Sequence, residues 1–215
     1  MRRSTFTDRP VSYGAIGATQ APDLLGYPPK GYRPTERSIR IGSGSERFET
    51  AGRSLMSWGI QRASGMRVTD LHEGTGEQYA GVRFNDDGSP AELQEHRESE
   101  QVFADDGTPF ITNGMSATLH VRTGILSFAA PVRVVYVIDE ERRVGFAYGT
   151  MAGHPVSGEE AFVLEHRDDD SVWLVIRSLS RPATWYYRLA SPLVRIAQRR
   201  IATRYLRALL PARIA

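Results

Sequence analysis

From residue 48 onward the apolar side chains Phe48, Ala51, Leu55 and Trp58, with Arg62 next, recur in steps of three and four, the spacing of an amphipathic helix. Ser43 and Glu46 ahead of that run have capping-box spacing, Gly65 is placed to close the helix, and Gly52 and Gly59 weaken its interior. Before it, residues 33–41 alternate weakly between polar and apolar and predict a first strand. After it, short apolar or alternating runs separated by turn residues predict strands at 66–71, 78–84, 117–126, 132–139, 144–150, 160–166 and 172–179. Polar turns at 140–143 and 167–171, and a glycine-bounded loop at 153–158, are short enough for antiparallel hairpins.

The ending returns to helical spacing. Ser180 with Pro182 and Ser191 with Pro192 each offer a helix start, so the pattern predicts a helical segment interrupted near Ser191. Beyond it Ala190, Val194, Ala197, Ile201, Tyr205 and Ala208 form one apolar stripe. At the other end, residues 1–32 carry four prolines and little periodicity, which predicts an irregular N-terminal arm with Tyr13, Leu24, Leu25, Tyr27 and Tyr32 to bury. Strand, helix, a run of antiparallel strands and a last helix make an α+β fold. By analogy with START-like and ligand-binding proteins, this order suggests a strongly curved antiparallel β-sheet wrapped around a long C-terminal α-helix, a helix-grip with a cavity between the two.

Composition narrows the chemistry. A chain of 215 residues with 40% apolar content suits a single domain, 1–215, with a core of its own. With no cysteine there is no disulfide framework, thiolate nucleophile or cysteine-ligated metal. The opening MRRSTFTDRP has no apolar h-region and no apolar run approaches the length of a membrane span, so the expectation is a soluble, cytoplasmic protein. The net charge of +2 hides an asymmetry: all 25 acidic residues precede Ser171, while residues 171–215 carry nine arginines. Residues 85–113 are long, polar and acidic and are expected to form a surface insertion. Arg188, Arg195, Arg199, Arg200, Arg204 and Arg207 either pair with this chain's own acidic surface or offer a face to an anionic partner, nucleic acid or an anionic membrane.

The segment VVYVIDEERRVGFAYGTMAGHPVSGEEAF, residues 134–162, closely resembles the domain-of-unknown-function family nineteen-ninety of bacteria and plants. The pattern YGTxxGHPxxGEExF is carried by Tyr148, Gly149, Thr150, Gly153, His154, Pro155, Gly158, Glu159, Glu160 and Phe162. GAIGAT at 14–19, the Trp58 region, SRPATW at 180–185 and the ending QRRIATRYLRAL are similar too. The resemblance covers most of the chain and implies a START-like fold with a pocket, without an assigned reaction. Gln61 stands where the resemblance leads one to expect histidine, and the acidic stretch looks longer than the family's connection.

Candidate chemistry gathers at His154, Glu159 and Glu160. Pro155 and Gly158 imply a loop that could bring imidazole and carboxylate together, as an acid-base pair (His154 and Glu160) or as part of a metal site. Two acids and one histidine fall short of a metal set, so no metal is assigned. The alternative is a structural hairpin in which Glu160 accepts hydrogen bonds from the loop backbone. Alternation puts Val144, Phe146, Tyr148 and Thr150 on one face and Gly145, Ala147 and Gly149 on the other, a nearly bare patch open to close approach. It also turns one of the two glutamates inward, where Arg177 or Arg181 could pair with it. Trp58, Trp173, Trp185, Tyr186 and Tyr187 could line a cavity or be plain core. No nucleophile elbow, Walker loop or dinucleotide fingerprint is present, so no cofactor is indicated. The leading expectation is a module binding a small, largely apolar molecule through Trp58, Tyr148, His154, Glu159, Glu160, Arg181 and Trp185. Behind it stand an enzyme using His154 and Glu160 on a carbonyl or ester-like substrate, and an interaction protein docking through its arginine-rich helix.

Overall fold

The computed structural model describes residues 11–74, 104, 107–123, 126–183 and 191–210, with only the backbone described at 123, 126 and 191–199. Seven strands, β1 (Arg33–Ser43), β2 (Arg67–His72), β3 (Ser116–Thr123), β4 (Leu126–Glu140), β5 (Arg143–Thr150), β6 (Val156–His166) and β7 (Ser171–Pro182), form one antiparallel sheet. Its order is β1-β7-β6-β5-β4-β3-β2, so the strands meander in sequence except that the first lies beside the last. Helices α1 (Ser45–Met56) and α2 (Gly59–Ala63) separate β1 from β2, and α3 (Ser191–Ala208) follows the sheet. The architecture is α+β with an open antiparallel sheet.

The main core lies between one sheet face and the helices. Leu119, Val132, Val134, Phe146, Phe162, Leu164, Leu174 and Ile176 meet Ala51 and Leu55 from α1, Trp58 from the turn after it, Ile60 from α2, Tyr205 from α3, and Leu209 just beyond it. Burial of such side chains contributes about 2 kcal/mol each against the cost of ordering the chain. The expected single first helix is broken. Trp58 adopts a left-handed backbone (φ 63°), and a Cβ on Gly59 would come within 2.4 Å of the Ser54 carbonyl oxygen, so the sharp turn needs glycine there. The turn swings Trp58 inward, where it is fully buried between α1 and the sheet. The expected cap is absent as well: Gly44 takes the N-cap position without a side-chain bond.

The strands differ from their expected bounds in informative ways. The run 117–126 divides into β3 and the start of β4, a strand of 15 residues. Its register shifts between Val134 and Tyr136, and a bulge of this kind reverses which face the following residues occupy. Val134 therefore belongs to the main core, whereas Tyr136 and Ile138 pack on the other face with Ala147, Ala161 and Val163. The helix start read at Ser180 and Pro182 is instead the end of β7, whose ladder to β6 runs on through Pro182. The strand expected at 78–84 and most of the acidic stretch 85–113 lie outside the described residues. Among the described residues no helix is long and apolar enough to cross a membrane.

The arm crosses the outer sheet face, the one away from the helices. Val11 bridges to Met151, and Tyr13 and Leu24 are buried. Leu25 and Tyr27, expected to be buried, are 53% and 82% exposed. The bare patch foreseen on β5 is where the arm docks: a Cβ on Gly149 would lie 2.5 Å from the Tyr13 ring.

Candidate functional site

The paired glutamates of β6 point to opposite faces because successive strand residues must. Glu159 is 3% exposed on the outer face. Its carboxylate accepts hydrogen bonds from the Tyr13 hydroxyl, the Gly17 amide at 2.7 Å, and the amide (2.9 Å) and hydroxyl of Thr19. Thr19 also meets the Tyr136 hydroxyl at 2.6 Å. Arg177, on the same face, donates to the Thr19 and Ala21 carbonyls and pairs with Glu36 at 3.0 Å. This is a structural clasp for the arm. The carboxylate that accepts loop backbone bonds is thus Glu159, and the loop belongs to the arm.

Glu160 faces the helices. In the ladder it stands opposite Tyr148 on one side and Ser178 on the other. The Tyr148 hydroxyl donates to it at 2.7 Å and lies 3.3 Å from the Tyr205 hydroxyl of α3. Tyr205 in turn donates to the Met66 sulfur at 3.5 Å. These groups border a cavity of about 120 Å³ whose walls are otherwise mostly apolar, with Leu119, Val121, Phe128, Ala130 and Ile201 among them. Burial pushes the Glu160 carboxyl up to about 7, with the Tyr148 hydrogen bond opposing that shift. Burial likewise raises the Tyr148 and Tyr205 phenols, which stay neutral near pH 7.

His154 borders the same cavity from the turn between β5 and β6. Its Nδ1 is held by the backbone of Val156, 2.9 Å from the carbonyl oxygen and 3.1 Å from the amide nitrogen. Burial lowers its pKa to about 4, with the Val156 carbonyl bond opposing, so the ring is neutral at pH 7. Imidazole and the Glu160 carboxylate therefore share a cavity, while each has its own hydrogen-bond partner. Among the described residues no cluster of histidine and acidic side chains could hold a metal ion.

The remaining candidates are dispersed. Trp58 stacks behind Tyr148 with ring centroids 6.3 Å apart, as part of the wall's backing. Arg177 is on the outer face, and the Arg181 guanidinium lies 4.6 Å over the Tyr32 ring; neither faces the Glu160 cavity. Trp185 and Arg188 lie outside the described residues, as do the side chains of Arg195 and Arg199, whereas Arg200, Arg204 and Arg207 are exposed on α3. Tyr205 and Ser178 border the site without having been expected there. A hydroxyl carried within the α3 apolar stripe, and a serine in register with Glu160, were the available signals. On α2, Gln61 is fully buried and, among the described residues, neither atom of its amide has a hydrogen-bond partner, nor does the Trp58 indole N–H.

An antiparallel α+β fold with a single-sided helical layer, a clasped arm and a carboxyl-bearing cavity under the helices describes the class. The chain belongs to the DUF1990 family, described as a domain of unknown function, whose model matches residues 12–85 and 92–208. A UPF0548 protein of Deinococcus radiodurans is 49% identical over 80 residues, covering 37% of this chain and 40% of that protein. A UPF0548 protein of Arabidopsis thaliana is 25% identical over 179 residues, 80% of this chain and 69% of the relative. One from Dictyostelium discoideum is 36% identical over 86 residues, 34% and 38% of the two chains. The matches to the Deinococcus and Dictyostelium relatives thus span about two fifths of their lengths. A crystal structure of a hypothetical protein from Helicobacter pylori aligns with a TM-score of 0.47 at 8% identity, covering 88% of this chain and 92% of that one.

Proposed function

We propose that the protein is a binding module that encloses a small, largely apolar molecule between the sheet and α3, in a helix-grip of the START-like kind. The observation that supports this reading is the cavity itself: apolar walls from β3, β4 and α3 around one inward carboxyl held by Tyr148. A few polar groups converging in an apolar enclosure are what a ligand pocket needs for affinity and orientation. At about 120 Å³ the cavity is somewhat smaller than an engineered apolar cavity of ~150 Å³ that holds benzene, so the part of the occupant it takes in has about five or six non-hydrogen atoms. Mass spectrometry of the purified protein, first intact under native conditions and then denatured, tests the reading. A stoichiometric compound released on denaturation is expected. Bare protein that is also not stabilised by any member of a series of small apolar compounds would overturn it.

One observation favours a second reading, an enzyme acting on a carbonyl or ester-like substrate. A carboxyl titrating at about 7 is matched to proton transfer at neutral pH. In that reading Glu160 moves the proton and His154, neutral and held through Nδ1, orients substrate through Nε2. Glu160→Gln would then abolish turnover of a bound ester while His154→Ala slows it; unchanged turnover in Glu160→Gln excludes the reading.

A further inference from the structure

Among the described residues that line the Glu160 cavity there is no cationic side chain. Besides Glu160, the described polar residues bordering the cavity are Tyr148 and Thr150 from β5, Ser178 and Ser180 from β7, Tyr205 from α3, His154 from the turn before β6, and Glu159, whose carboxylate is taken up by the arm. Among the described lining residues none is lysine or arginine, and His154 is neutral with its Nδ1 engaged by Val156. The arginines nearest in sequence are committed elsewhere, Arg177 to Glu36 and the arm carbonyls, Arg181 to Tyr32. A carboxylate drawn partly out of water against apolar walls is costly unless a cation or several donors meet it, and among the described residues Tyr148 is the donor that meets this one.

We infer that the cavity is a site for a small organic monocation, a primary or secondary amine with an apolar body, whose ammonium pairs with Glu160. This rests on the binding reading above and names the ligand's class. An ammonium brings donors only, and the wall offers acceptors: the Glu160 carboxylate, the Tyr205 hydroxyl oxygen, and on the neighbouring strand Ser178, whose hydroxyl also meets that of Thr35 at 2.8 Å. The rings of Tyr148, Tyr205 and Phe128 border the same space, and an aromatic face favours a cation over a neutral isostere. An anionic ligand is disfavoured on the same grounds, since no positive group among the described lining residues is there to receive it.

The competing possibility is a neutral ligand whose carbonyl or ether oxygen accepts a proton from Glu160 in its acid form. The two differ in the sign of a proton count. With the carboxyl titrating near 7, an ammonium requires ionised Glu160, so binding at pH 7 releases about half a proton; a neutral acceptor requires the acid, so binding takes up about half a proton. Isothermal titration calorimetry at pH 7 in phosphate and in MOPS reads that count on the unaltered full chain. The probes are straight-chain primary amines from butylamine to octylamine, each against the alcohol of the same length. Expected are proton release, an affinity for the best amine about tenfold above its alcohol, and loss of that preference in Glu160→Gln. An alcohol bound as tightly as its amine, or proton uptake, overturns the cation inference and leaves the binding reading intact. Binding of neither series overturns both. Because the proton count is read on unaltered protein, the test holds even where the variant fails to fold.

Discussion

Glu159 and Glu160 are adjacent in sequence and do opposite work, and each has a measurable signature. Glu159→Gln removes the charge from a carboxylate serving Tyr13, Gly17 and Thr19 and is expected to cost about 2–3 kcal/mol in urea unfolding. Faster hydrogen exchange at the Gly17 and Thr19 amides, with the β5 and β6 amides unchanged, would locate the loss in the arm. Glu160 acts on the pH dependence. Its folded pKa of about 7 exceeds the ordinary 4.5, so between those values the native state holds more protons than the unfolded chain and stability falls as pH rises. His154 has a folded pKa of about 4 against an ordinary 6.5. Its contribution is present above the unfolded value, is lost as pH falls through the folded one, and so rises with pH in between. The two slopes, each about 1.4 kcal/mol per pH unit, oppose one another from pH 4.5 to 6.5 and leave a flat profile there. Urea midpoints across that window should climb with pH in Glu160→Gln and drop with pH in His154→Asn; parallel profiles in the three proteins would contradict both shifts.

Between elements, the arm and β5 are fitted to one another by what β5 lacks. Gly149→Ala would set a methyl group 2.5 Å from the Tyr13 ring, displacing the arm at a cost of about 1–3 kcal/mol. Thermal unfolding and exchange at Thr19 check this, and a variant as stable as the parent would mean that Tyr13 moves aside freely. The alternation of β5 was legible from sequence, since Phe146 and Tyr148 are bulky and Gly145, Ala147 and Gly149 are not. What comes to lie on the bare face was not legible, because the arm is more than a hundred residues away and its docking depends on Glu159 being turned outward. The β4 bulge is a similar case. Val132, Val134 and Tyr136 share one alternation in sequence, and only the shift at Val135 sends Tyr136 to the other face to meet Thr19. The broken first helix could be anticipated in part from Gly59, although the left-handed turn at Trp58 is set by the packing of its ring against Phe146 and Tyr148.

Across the molecule, charge divides along the chain, and Arg200, Arg204 and Arg207 stand exposed on α3, with Arg204 reaching the Arg122 carbonyl at 3.4 Å. As a docking face these arginines would bind heparin or anionic vesicles with an affinity that falls by orders of magnitude between ~50 and ~200 mM salt; a flat salt response would leave them as a solvated helix face. Residue order was enough to specify the elements whose signals are local: the hairpin strands from the polar turns, the helix begun at Ser191 and Pro192, and the family, through the Tyr148–Phe162 motif. It also singled out His154 and the two glutamates as candidates. Three-dimensional packing was needed to select the glutamate that faces the cavity, to commit Arg177 and Arg181 to the arm and Tyr32, and to bring Tyr205 from α3 against the carboxyl's surroundings. The physical reason is range. Periodicity and turn chemistry act over a few residues, whereas a carboxyl's partners and its proton affinity depend on the surroundings that seven paired strands and a distant helix bring together.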